Sequence, residues 1–118
     1  MTAELQTDGR APFGWARRGP CAEAQRTALL FLLTHLSRHG GGGVRIQDAR
    51  EYLLAGDNDA VVADLLYSED DEVRGAWRAF ASFGPRVTHQ LLDCAAELLE
   101  GAPDGFVPHW HIPALVTG

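Results

Sequence analysis

The chain has 118 residues, 46% of them hydrophobic and 22% charged, the proportions of an ordinary globular protein with one core. A chain of this size buries roughly two thirds of its unfolded surface. The formal net charge of −6 argues against a duplex-binding surface, because nucleic-acid affinity rests mainly on neutralising phosphates. All ten basic residues are arginine, which removes Schiff-base chemistry and the P-loop lysine from consideration.

The charge is unevenly placed. Residues 1–47 carry six Arg against three acids, for +3, whereas residues 48–118 carry four Arg against thirteen acids, for −9. The longest apolar run, residues 28–33, has six residues, far short of the roughly 18 needed to cross a bilayer. The first twenty residues lack the apolar centre of a secretory signal. A cytoplasmic protein without membrane contact is therefore expected. Cys21 and Cys94 are too few for a disulfide framework and lack metal-ligand spacing, so both are expected as reduced thiols.

Residues 1–19 hold Gly9, Pro12, Gly14 and Gly19 with no usable period, the composition of an irregular arm. A helix is expected over residues 20–39. Pro20 suits its first position, and Leu29, Leu32, Leu33 and Leu36 recur at i, i+3, i+4, i+7. Leu30 and Phe31 widen that stripe, as in a helix covered on several sides by its neighbours. The run Gly40 to Gly43 ends it and is expected as a flexible connector.

A short helix follows over 46–55, with Ile46, Ala49 and Leu53 inward and Gly56 at C′. A third spans 59–67 with Val62, Leu65 and Leu66 inward, capped from among Asp57, Asn58 and Asp59. Ser68 and Asp71 have the spacing of a capping box for a fourth helix, which places Val73, Ala76, Trp77, Phe80 and Phe83 on one face and stops at Gly84-Pro85. A fifth, over 86–100, turns Val87, Leu91, Ala95 and Leu98 inward and closes at Gly101. In the final stretch Pro108 and Pro113 oppose a regular helix, yet Phe106, Val107, Trp110, Ile112, Leu115 and Val116 are too apolar for a free tail. An extended segment over 102–118, packed on the helical domain of 20–101, is expected. The fold class is all-α, a compact bundle of about five helices.

Residues 59–85 carry the most specific pattern. Val61, Val62, Leu65 and Leu66 form an apolar helix stripe, Glu69-Asp70-Asp71 an acidic turn, and Val73-Arg74-Gly75-Ala76 the start of a second helix closed by Phe80, Phe83, Gly84 and Pro85. This resembles the helix-turn-helix of HEAT-like repeats. Val44-Arg45 stands 29 residues before Val73-Arg74, close to that family's period, which would extend the likeness over 44–101. The resemblance implies a core valine, an arginine bracing acidic turns, and a surface that binds proteins. Gly75 and Trp77 depart from the family's small-residue pattern. Solenoids need about three repeats to bury a continuous core, and two at most fit here. A generic helical hairpin accounts for the same apolar spacing.

Seven acids fall within residues 57–72. Carboxylates in a first helical turn stabilise its positive end by roughly 0.3–1 kcal/mol each, which explains part of the cluster but not the charge of the whole C-terminal portion. Glu69, Asp70, Asp71 and Glu72, with Trp110 as an apolar anchor, are therefore the expected binding residues for a protein partner with a basic surface. The protein is then a non-catalytic interaction module, an adaptor or inhibitor without a cofactor. The alternative is a metal- or small-ligand-binding protein, or an accessory enzyme subunit. His35 and His39 lie at i, i+4 and His109 and His111 flank Trp110, so two pairs could meet around zinc or another divalent metal. No nucleophile elbow surrounds Ser37, Ser68 or Ser82, and Cys94 and His89 fall on different faces of their helix. No acid–base pair stands out.

Overall fold

The computed structural model describes residues 22–39 and 41–117; the arm over 1–19, Pro20 and Cys21 lie outside them. In chain order the elements are α1 (Ala22–His39), β1 (Gly43–Arg45), α2 (Ile46–Ala55), α3 (Asn58–Leu66), α4 (Asp71–Ala81), α5 (Pro85–Glu100), β2 (Phe106–Pro108), a 3₁₀ turn (His109–His111) and α6 (Ile112–Thr117). The fold is thus a compact, mostly helical body with one small sheet.

The leucine-rich face of α1 dictates the arrangement. Ala28, Leu29, Leu32 and Leu33 are fully buried, and α1 packs against α4, α5, α6 and β1. Helix α2 contributes Ile46, Ala49 and Leu53 to the same core. Its Arg50 does not simply face solvent. The guanidinium donates to the carbonyls of Leu99 and Ala102 at 3.1 and 3.3 Å and pairs with Asp104. It thereby ties α2 to carbonyls at and just beyond the end of α5, where acceptor capacity is left over.

Helices α3 and α4 are both started by aspartate. Asp57 accepts from the Ala60 amide at 2.7 Å. Asp70 accepts from the Glu72 and Val73 amides at 2.9 and 3.1 Å. The cap of α4 is thus Asp70 and not Ser68, because the helix begins at Asp71 and leaves Ser68 two residues outside its first turn. Gly56 is extended, with φ −109°, instead of left-handed. Pro85 does not end α4; it opens α5 at a position where a missing N–H costs nothing, after Gly84 at φ 106°. Phe83 consequently lies beyond α4 and is 73% exposed instead of joining the buried face.

The C-terminal portion corrects the expectation of one extended segment. Residues Phe106–Pro108 pair antiparallel with Gly43–Arg45, in the register Gly43↔Pro108, Val44↔Val107 and Arg45↔Phe106. Val44 and Arg45 accordingly stand on a strand just before α2. Backbone bonds extend the clasp on both sides, from the Ile46 amide to Gly105 O at 2.9 Å and from the His109 amide to Gly42 O at 2.7 Å. Gly41 and Gly42, at φ 73° and 100°, supply the left-handed turn that brings β1 into place. Of the glycine run, Gly41 and Gly42 form a turn and Gly43 opens a strand. Pro113 is the second residue of α6, where its lost donor is again harmless, and Ile112 and Val116 are buried against α1. Among the described residues, no helix is long and apolar enough to cross a membrane.

Candidate functional site

Three chain segments meet around one cleft: the last turn of α1, the α3–α4 turn, and the 3₁₀ turn after β2. Ser37, Arg38, Gly42, Glu69 and His109 line a polar cleft of about 410 Å³ between them. Ser37 is buried, and its hydroxyl donates to Thr34 O at 2.8 Å. The same oxygen lies 2.9 Å from His109 Nδ1. Arg38 leans toward Asp70, with 3.8 Å between guanidinium and carboxylate. Next to His109, Trp110 is 77% exposed and meets His111 edge-on with ring centroids 5.5 Å apart.

The seven acids divide into two groups. Asp57 and Asp70 are helix caps. Asp59 contacts His89 at 2.7 Å, Asp64 contacts His35 and Tyr52, and Asp71 pairs with Arg74, which also donates to Ser68 O at 2.7 Å. Glu69 and Glu72 are exposed and make no ion pair among the described residues. Of the four expected partner-binding acids, these two are exposed and without an ion pair among the described residues. Tyr67, beside the turn, is 78% exposed and adds apolar surface near them.

Beside the turn runs a polar chain, buried at His35 and Ser68 and open to solvent at Asp64. Tyr52 O–H donates to Asp64 Oδ2 at 2.5 Å, and His35 Nε2 lies 3.0 Å from the same oxygen. A carboxylate oxygen only accepts, so Nε2 carries the proton, and Nδ1 accepts from the Ser68 hydroxyl at 3.0 Å. Ser68 Oγ in turn accepts from the Asp70 amide at 3.2 Å. The chain pins the acidic turn to the central helix. Replacing His35 with leucine should cost about 1–2 kcal/mol, since the buried Ser68 hydroxyl loses its acceptor. Adding Ser68→Ala should recover part of that loss, measured as denaturant midpoints of the single and double variants.

Burial, reinforced by the hydrogen bond to Asp64 and by its negative charge, pushes the Tyr52 phenol well above its ordinary value of 10.0. A raised folded value means the fold keeps a proton that the unfolded chain releases. This contribution is intact below the usual tyrosine range and is lost as pH rises through and above it. Tyr52→Phe should accordingly flatten the fall in stability on the alkaline side of pH 10, read from midpoints across pH.

The histidines proposed as metal ligands have other engagements. His35 points to Asp64 and Ser68, His109 to Ser37, and His111 meets Trp110. The side chain of His39 lies outside the described residues. Among the described residues, no group of three or more His, Cys, Asp and Glu is placed to hold a metal ion.

The cleft itself was not foreseen, because it depends on contacts such as Ser37–His109 across 72 residues of sequence. A second, apolar groove of about 370 Å³ forms where Phe83 leaves the core, lined by Phe80, Phe83, Val87, Leu91 and Cys94 with the first turns of α1. Gln25 donates to Cys94 Sγ there, at 3.6 Å. Comparison with family models, curated proteins and solved structures finds no match for this chain.

Proposed function

We propose that the protein is a cytoplasmic, non-catalytic interaction module, an adaptor or inhibitor, that binds a protein with a basic surface through Glu69, Glu72 and Trp110. The observation that carries this reading is Trp110. A tryptophan that is 77% exposed is an unfavourable surface residue unless another surface covers it, and buried aromatic anchors dominate binding energy at interfaces. The turn that presents it is held on both sides, by the His109 amide bond to Gly42 and by fully buried Ile112. Such preorganisation lowers the ordering cost of binding. Glu69 borders the adjoining cleft, and unpaired carboxylates there would steer a basic partner and set its orientation. The likeness of residues 59–85 to a HEAT-like hairpin supports the same reading.

The test uses a partner isolated on the immobilised full chain and then purified. Trp110→Ala should weaken its binding by at least about 2 kcal/mol, roughly 30-fold, with stability changed by no more than about 0.5 kcal/mol because the side chain is already exposed. Glu69→Arg and Glu72→Arg should slow association and flatten its salt dependence. Asp70 is unsuitable for reversal, since losing that cap would itself destabilise α4. Binding that ignores Trp110, salt and both reversals would refute the proposal.

A further inference from the structure

We infer that the cleft between α1, the α3–α4 turn and the 3₁₀ turn is a seat for an arginine side chain of the partner, held by His109 Nε2 and the Glu69 carboxylate. The inference rests on the interaction reading above and specifies its chemistry. A serine hydroxyl has one hydrogen, and that of Ser37 goes to Thr34 O. In the 2.9 Å contact with His109 Nδ1, Ser37 Oγ must therefore accept. The ring proton lies on Nδ1, and the neutral imidazole keeps its lone pair on Nε2. The two groups that line the cleft without an ion pair or a side-chain acceptor of their own are thus both acceptors, Nε2 of His109 and the carboxylate of Glu69.

Two acceptors on residues that line one cleft select a ligand that only donates. Guanidinium carries five N–H groups in one plane and no acceptor, so a single group can serve both at once; an ammonium offers a smaller, more strongly hydrated donor set. The resident cation, Arg38, is drawn toward Asp70, which offsets its repulsion. The space of about 410 Å³ falls within the range of ordinary ligand pockets and admits a guanidinium with its aliphatic stem. The charged groups that line the cleft with His109 are Arg38 from α1 and Glu69 from the α3–α4 turn.

The experiment is a titration of the full, ¹⁵N-labelled chain with arginine amide, read on the imidazole nitrogens. The expected result is the Nδ1–H tautomer and a saturable shift of Nε2. Citrulline amide, of the same shape without the charge, should produce no saturable shift, and lysine amide should bind more weakly than arginine amide. Glu69→Gln should weaken arginine amide about threefold, the scale of an exposed ion pair. An Nε2–H tautomer, an equal response to arginine and citrulline amides, or indifference to Glu69→Gln would overturn the inference. If arginine amide fails while Trp110→Ala still abolishes partner binding, this inference falls and the interaction reading stands. If arginine amide binds but the partner ignores Trp110, the seat stands and that reading falls.

Discussion

Replacing Trp77 with alanine should destabilise the protein by about 3–5 kcal/mol, the range for emptying a fully buried aromatic site. Trp77 has no exposed surface; it lies on α4, which packs against α1, and meets Phe80 edge-on at 5.2 Å with 77° between the rings. Single domains are stable by only about 5–15 kcal/mol, so this one change removes a large share of the total. The check is a denaturant titration in which the midpoint falls and the slope is retained. Trp77→Phe should behave differently. The indole N–H is buried with no hydrogen-bond partner among the described residues, and a buried donor left unsatisfied costs about 1–3 kcal/mol. Phenylalanine removes that penalty along with part of the apolar contact, so its net cost should stay within about 1 kcal/mol. Equal losses for the two variants would mean that the N–H has found a partner after all.

The second large effect is expected at Gly43. Its φ is not in the left-handed region, so the requirement there is space. A Cβ would stand 2.2 Å from Phe106 Cζ and 2.7 Å from Val107 O. The Phe106 ring is half exposed and can swing aside, but the Val107 carbonyl belongs to the paired strand and cannot. Gly43→Val should therefore push β2 away from β1 at a cost of about 3 kcal/mol, the upper end for overpacking. Hydrogen exchange at the His109 amide, whose bond to Gly42 O closes the clasp, should accelerate. Partner binding should weaken as well, because Trp110 loses its support. Unchanged exchange at His109 would show that the clasp tolerates the side chain.

What the sequence made legible was local. The limits expected for α2, residues 46–55, are those observed, since Ile46, Ala49 and Leu53 keep one helical face and Gly56 follows. The central role of α1 was equally readable, because its leucines exceed one stripe. Errors arose where one residue type serves two purposes. Gly84-Pro85 reads as the stop of α4 and Pro113 as opposed to a regular helix, yet Pro85 opens α5 and Pro113 stands second in α6; a proline is compatible with either role until the neighbouring backbone is known. Gly43 reads as flexibility from composition, yet it is chosen for the close approach of a strand over 60 residues away. Ser68 has the right spacing for a cap but is spent on His35, and Asp70 takes the cap. The site was legible in its parts, namely Trp110 and the acidic run. Its assembly was not, since Ser37–His109, His35–Asp64 and Asp59–His89 are contacts between separate elements with no local signature. The local pairings also reduced seven clustered acids to two available ones.

The position of α1 has a consequence for how the chain is made. Its buried leucines precede in the chain every element that covers them, and β1 and α4 emerge before α5 and α6. During translation the part of that apolar face covered by α5 and α6 stays open until those two helices have been made. The two strands of the clasp are similarly separated, so β1 waits on β2. Folding should therefore be a late, nearly all-or-none event, with little structure in fragments that stop after α4. The yield of this protein should accordingly respond to shelter of exposed leucine during synthesis more than to the stability of the finished fold.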